Sequence, residues 1–468
     1  MPQLSLIEGA VSRGMAGPVS YVRNRGGWIA RAVAVTVCVA GWLCIAPPAR
    51  AENAVRDTEI ENDIRTLAAP IWRAAGLEPN DVGIYMIDDN ELNSFVAGGQ
   101  AIFINTGLIL KAEQPNQLIG VIAHETGHIA GGHVLRAKQA MHNASIENII
   151  AMVVGAAASV AGHSGAPMMG AMGVGERSFL QFSISQEATA DHAALNFLDK
   201  ACISARGLLK FFEVLQTSEL MSGEARDPWV RTHPLTAQRV DYIRDHVERA
   251  RCSNAADSPA SVELLRTIKI KLHAFLDPPS TTLASYPESD HSVDARYARA
   301  IAYYRIPDLS RAVPAIDALI RDYPNNPYYR ELKGQMLFEN GRIRDAVQPY
   351  QDAVRLLPGA PLLRVSLSQV YIETGDTALN KRAIAYLNDA SREESRDSDI
   401  WHFLAVAYGR DNQLGMAALS LAEQALADGK KRDAIQQSKR AEQLLQRNTG
   451  NYARAEDIGR EAEHLDEN

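Results

Sequence analysis

His124-Glu125-Thr126-Gly127-His128 sets two imidazoles four residues apart with a carboxylate beside the first. Positions i and i+4 share a helix face, so both rings can address one divalent cation while Glu125 reaches a water next to it. Zinc suits this set, because imidazole and carboxylate ligands bind it well and it keeps a fourth position open. It lowers the pKa of water towards ~7 and polarises a carbonyl, and Glu125 can then take the proton. The pattern implies metal-assisted hydrolysis and requires a third protein ligand. The arrangement H-E-x-x-H-x-x-G-x-x-H is met at Gly131 but fails at Val134, and His133 falls one residue early. Five residues past His128 is about 140° round a helix, off the metal face. The better candidate is Glu187 in Glu187-Ala188-Thr189-Ala190-Asp191, 59 residues beyond His128. Asp191, one turn further, can accept a hydrogen bond from a liganding imidazole and fix its tautomer.

The elements that must carry these residues are partly legible. The apolar run QLIGVIA (117–123) predicts a buried helix over about 116–140. Upstream, GIYMID (83–88) and AIFINTG (101–107) read as strands flanking NELNSFVAGGQ, with a tight turn at Gly98-Gly99. This α+β pattern leaves an exposed strand edge beside the helix, able to take an extended peptide as an added strand. Helices are expected at about 186–199 and 204–220, and a charged helix ending near Arg251. The stretches 253–260 and 276–292 read as linker and as a Pro/Ser-rich loop. Residues 147–175 hold many Gly, Ala and Met and almost no charge; they are either a core helix with a disordered tail, or a lid, plug or membrane-facing patch.

From about 294 onward the texture is continuous amphipathic helix. Gly334, Leu337, Gly341, Ala346, Tyr350, Ala353 and Pro358 fit a 34-residue tetratricopeptide repeat (TPR). Looser copies hold Tyr371, Gly375, Ala383, Leu387 and Ala390, then Trp401, Leu404, Tyr408 and Ala417, and a degenerate unit precedes them at 294–325. Four stacked units are expected, since one unit cannot bury its own apolar face.

The chain has 468 residues, 46% hydrophobic and 22% charged, which excludes a disordered chain and predicts two or three folded units. Lys+Arg total 48 against Asp+Glu 56, a formal charge of −8, which argues against nucleic acid as the main partner. Arg23, Arg25 and Arg31 precede an apolar run from Ala32 to Ala46, followed by Ala49-Arg50-Ala51. This is the layout of a secretory signal peptide cleaved after Ala51; the alternative is an uncleaved N-terminal anchor. Cys38 and Cys44 would leave with it, and Cys202 and Cys252 remain as either a disulfide in an oxidising compartment or two unrelated thiols.

These residues resemble a known group, the zinc metallopeptidases of the HtpX, CAAX-prenyl-endopeptidase and BepA/LoiP family. The resemblance rests on VIAHETGH (121–128), on EATAD (187–191) as the family's E-x-x-A-D, on THPLTAQR (232–239), and on the hairpin NSFVAGGQAIFINTGLI (93–109). A signal peptide together with C-terminal repeats is similar to the BepA-like periplasmic subgroup. The resemblance implies a mainly α chain: signal peptide 1–51, an α+β zincin-type peptidase domain 52–252 with a small hairpin sheet, a connecting segment 253–292, and an α-solenoid of repeats 293–468. It implies one Zn2+ held by His124, His128 and Glu187, with Glu125 as general base. His233 would be a fourth, displaceable ligand, an oxyanion donor, or a packing residue; Arg239 is expected to pair with a carboxylate in the fold. Gly127, where relatives often carry Ala or Ser, is a mild departure that weakens the metal helix by up to ~1 kcal/mol. The implied activity is an exported endopeptidase acting on misassembled outer-membrane proteins, with repeats that bind substrate or the barrel-assembly machinery. Outer-membrane association or peripheral membrane contact would accompany it. The alternative is a repeat-based periplasmic chaperone or adaptor with a mostly latent peptidase domain.

Overall fold

The structure, a computed structural model, describes residues 54–97, 99–133, 174–222, 233 and 235–465. The expected signal peptide and residues 147–173 of the apolar segment lie outside them. Strands β1 (Ala54–Val55), β2 (Gly83–Ile87), β3 (Ser94–Ala97) and β4 (Ala101–Asn105) form one sheet in the order β1-β2-β4-β3. Helix α1 (Thr58–Ala74) separates β1 from β2. β2 and β4 run parallel, paired from Gly83↔Ala101 to Ile87↔Asn105, and β3 folds back antiparallel on β4. The hairpin thus leaves β3 at the sheet's edge. Alternation divides the faces as a pleated strand requires. Ile84, Met86, Ile102 and Ile104 enter the core, while Tyr85, Phe103 and Phe95 stack on the other face at 5.0 Å centroid spacing.

Helices α2 (Thr106–Lys111), α3 (Pro115–Gly131), α4 (Val174–Ala201), α5 (Arg206–Ser222) and α6 (Ala237–Arg249) complete the first core. α3 starts on Pro115 behind a Gln114/Gln117 capping box and is buried through most of its length. It stops at Gly131, short of the expected 140, because Gly132 adopts φ 61° and caps the end in the left-handed conformation. Cys202 and Cys252 are disulfide-bonded with their Cα atoms 5.2 Å apart, tying the end of α4 to the segment after α6.

Residues 253–258 form the expected linker, but the rest of the segment 253–292 carries two helices. It contains α7 (Pro259–Leu276) and α8 (Pro279–Ser285). α7 serves two cores: Leu265, Ile268 and Leu272 face the sheet-bearing part, and Ile270, Ala274 and Phe275 face the repeats. Five helix pairs follow, one more than the repeat count predicts: α9 (Val293–Arg305) with α10 (Leu309–Asp322), α11 (Pro327–Glu339) with α12 (Ile343–Leu356), α13 (Pro361–Glu373) with α14 (Thr377–Glu393), α15 (Ser398–Arg410) with α16 (Leu414–Ala427), and α17 (Lys431–Leu444) with α18 (Gly450–Glu463). The fifth pair escapes sequence reading because its buried residues are mostly alanine (Ala434, Ala441, Ala455, Ala462) rather than marker aromatics.

A buried polar junction joins the start of the described chain to the repeats. Arg56 Nε binds Glu61 at 2.8 Å, and its guanidinium reaches Asp397 at 3.0 Å and Glu394 at 3.4 Å. Lys271 of α7 binds Asp57 at 2.8 Å and Glu59 at 2.9 Å. The Tyr297 hydroxyl donates to Glu59 at 2.7 Å, and the Thr58 hydroxyl to Glu331 at 2.6 Å. Carboxylates outnumber cations here, and burial pushes Asp63 and Glu331 each up to about 8. Such a network fixes geometry more than it adds net stability, since desolvation offsets much of the attraction.

Candidate metal centre

α3 carries His124 and His128 on one face, α4 carries Glu187, and His233 arrives from the segment ahead of α6; all four are buried. Their donor atoms lie within 4.8 Å of one another. His124 Nε2 is 3.1 Å from His128 Nε2 and 3.3 Å from Glu187 Oε2. His128 Nε2 is 3.4 Å from Glu187 Oε1. His233 Nδ1 is 3.2 Å from each Glu187 oxygen and 3.4 Å from His124 Nε2. Donors around tetrahedral zinc, bonded at 2.0–2.1 Å, are about 3.3–3.4 Å apart along each edge. Five of the six donor pairs therefore have the edge spacing of a zinc tetrahedron, and the sixth, His128 with His233, lies within 4.8 Å.

The outward nitrogens support the same fit. His124 Nδ1 faces Asp191 Oδ1 at 2.9 Å, and His128 Nδ1 faces His133 Nδ1 at 3.0 Å. With a proton on each outward Nδ1, both Nε2 atoms point lone pairs at each other and at a carboxylate, an arrangement that a cation relieves. Burial works against charge on His124, yet its hydrogen bonds to Asp191 and Glu187 raise it to about 9. His128 is driven well down, by burial and by the neighbouring His124. Glu187 is held well below the carboxylate range by His233 and His124 in spite of burial, which pushes the other way.

Asp191 is itself fixed by Arg239, whose Nε and Nη2 donate to it at 2.6 and 2.9 Å. Arg239 Nη1 reaches Glu187 Oε2 at 3.1 Å, and the guanidinium lies 5.0 Å over the Phe212 ring. Gly127 has a positive role that its helix-weakening character hides. A Cβ there would lie 2.6 Å from the Ala190 carbonyl oxygen, so its absence lets α3 and α4 close on each other at the level of the site. Glu125 is fully buried; its Oε1 accepts from the Ser94 hydroxyl at 2.9 Å, and its Oε2 has no hydrogen-bond partner among the described residues. Ser94 opens the edge strand β3, and its carbonyl accepts from His233 Nε2 at 3.3 Å.

Sequence reasoning placed His124, His128, Glu187, Asp191 and His233 in one site, and the structure brings all five together with Arg239. It set His133 aside as off the metal face. That geometry assumed an unbroken helix, and the Gly131-Gly132 pair, which carried the stop signal, returns His133 to the back of His128.

A helix-borne pair of imidazoles, a carboxylate from a second helix and a buried acid beside them define a metallopeptidase, here joined to a helical repeat array. Residues 54–247 match Peptidase family M48 and residues 293–361 match the tetratricopeptide repeat, so the chain joins a zinc-dependent metalloendopeptidase domain to C-terminal repeats. It is similar to the beta-barrel assembly-enhancing protease of Yersinia pestis, 21% identical over 79% of this chain and 77% of that one. A Vibrio cholerae protein bearing a provisional form of the same name is 26% identical over 52% of each chain, so the match spans about half its length. Metalloprotease LoiP of Escherichia coli is 29% identical over 44% of this chain and 77% of its own. Among the described residues no helix is long and apolar enough to cross a membrane.

Proposed function

We propose that the chain is an exported, periplasmic endopeptidase that hydrolyses peptide bonds in misfolded or misassembled outer-membrane proteins, with its repeats holding substrate or the barrel-assembly machinery. In this reading His124, His128 and Glu187 hold the zinc and Glu125 is the general base. The observation that carries it is the close grouping of four buried donors, within 4.8 Å of one another, with the free Oε2 of Glu125 beside them. Bound zinc supplies Lewis acidity, polarising a peptide carbonyl and acidifying a water. The Ser94 hydroxyl occupies Glu125 Oε1. That leaves Oε2 to take the proton of the attacking water and hand it to the departing amine. Asp191, gripped by Arg239, keeps the His124 proton on Nδ1. The edge of β3 offers main-chain groups to an extended chain, which selects unfolded conformation over sequence. The names of the relatives supply the substrate class, and the repeats supply an extended protein-binding surface.

His233 is proposed as a fourth, displaceable donor. Its Nδ1 lies among the other donors, and its Nε2 occupies the Ser94 carbonyl that an added strand would use. A resting His233 thus competes with substrate twice. This same observation favours a second reading, in which the chain acts mainly as an adaptor with its peptidase held latent. Glu125→Gln is expected to keep one zinc and lose cleavage of an unfolded barrel protein. Retained cleavage overturns the proposal, and a Glu125→Gln chain that replaces the wild type in every cellular phenotype favours the adaptor. His233→Ala is expected to raise basal cleavage; a large fall instead assigns it the oxyanion, and no change removes both roles.

A further inference from the structure

We infer that Gly131-Gly132-His133 is a support built for His128, with His133 as the positioning residue that holds the His128 proton on Nδ1 and leaves Nε2 free for the metal. The inference rests on the proposed reading of His128 as a zinc ligand. An imidazole that binds through Nε2 carries its proton on Nδ1, and a buried N–H needs an acceptor. The group facing His128 Nδ1 is His133 Nδ1, 3.0 Å away, with the two rings edge to face at 82°. Only one of two facing nitrogens can hold the proton, so His133 accepts at Nδ1 and carries its own proton on Nε2. His133 is 3% exposed, so water does not readily stand in for it.

The three residues divide the task. Gly132, at φ 61°, ends α3 and donates its N–H to the carbonyls of His128 and Ile129, which turns the chain back over the helix end. Gly131 leaves room for the returning ring, since a Cβ there would lie 2.7 Å from His133 Cδ2 and closer still to Nε2. His133 then lies behind His128 rather than 140° round the helix, where an unbroken α3 would put it (about 100° per residue). The two zinc imidazoles are therefore supported by different chemistry. His124 is backed by a carboxylate that Arg239 clamps, and His128 by a neutral ring that glycine geometry puts in place.

Loss of such an outer partner costs about 10–100-fold in metal affinity. The test is zinc affinity of the full chain by chelator competition, with the thermal melt of the zinc-free protein as a control on folding. His133→Ala is expected to weaken zinc by about 10–100-fold while the zinc-free melt stays close to wild type. His133→Asp and His133→Asn keep an acceptor and are expected to recover most of the loss. Gly131→Ala, which leaves His133 in the sequence but displaces its ring, is expected to behave like His133→Ala. Wild-type zinc affinity in His133→Ala overturns the inference, and so does an Asp or Asn variant no better than Ala. A wild-type chain that binds no zinc overturns the site reading itself, a separate result.

Discussion

Replacing Gly127 with alanine sets two effects of known sign against each other. In a helix interior alanine is favoured over glycine by ~1 kcal/mol, so the bare helix gains. The added Cβ, however, would stand 2.6 Å from the Ala190 oxygen and 2.9 Å from its Cα, where ordinary contact begins near 3.4 Å. Both neighbours are helix backbone and cannot rotate away, so α3 and α4 must separate by a large fraction of an ångström. Overpacking of this kind costs ~1–3 kcal/mol. The zinc-free fold should therefore lie between unchanged and ~2 kcal/mol less stable, the difference of those two effects. Zinc binding should suffer further, because Ala190 sits between Glu187 and Asp191, and the displacement opens the 3.3 and 3.4 Å spacings from Glu187 to the two imidazoles. Denaturant unfolding of the zinc-free chain and chelator competition for zinc measure the two parts separately. A Gly127→Ala chain that is more stable by ~1 kcal/mol and binds zinc as tightly as wild type would show that the close approach constrains nothing.

Three further perturbations test the frame around the site. Removing the Cys202–Cys252 bond frees a 50-residue loop and should cost about 4 kcal/mol by the chain-entropy relation, read as a lowered urea midpoint in a double Cys→Ala chain. Arg239→Met leaves the buried Asp191 carboxylate with His124 alone and should destabilise by up to ~3–5 kcal/mol in the same assay, and a neutral result would deny the clamp. Asp63 and Glu331, ordinarily near 3.8 and 4.5, are both raised to about 8, so the folded chain binds more protons than the unfolded one between about pH 4 and 8. Their contribution is fully present below pH 4 and is lost as pH rises through 8. Unfolding free energy measured from pH 5 to 9 should fall less steeply in Asp63→Asn, and a slope identical to wild type would contradict the burial argument.

The candidate donor residues were legible because their spacing obeys a local rule. His124 and His128 at i and i+4, and Glu187 and Asp191 at i and i+4, need only a helix to come onto one face. The strands at 83–88 and 101–107 were legible from their β-rich composition, but they pair parallel, and the hairpin is made by β3, which lies in the stretch between them. What escaped depends on where helices stop or on partners far along the chain. His133 stays out of the donor group as expected, but its contact behind His128 escapes a reading that carries the helix on past two glycines. The junction left no periodic trace, because the partners of Arg56, Thr58 and Glu59 stand as many as 341 residues away. The Pro/Ser-rich stretch was read as loop throughout, but Pro279 begins a short helix there, as Pro259 begins the one before it, because proline fits a first turn.

The two ends of the molecule are sewn together, and synthesis is directional. Arg56, Thr58 and Glu59 are made early, yet Tyr297, Glu331 and Asp397, which complete their surroundings, follow 238 to 341 residues later. A nascent chain can gather the apolar residues around the sheet, those of α1 included, but the polar start of α1 stays hydrated until the solenoid exists to enclose it. Enclosing that polar start therefore waits on the repeats. Truncation within the solenoid should be felt at the opposite terminus, as freshly exposed carboxylates beside the sheet.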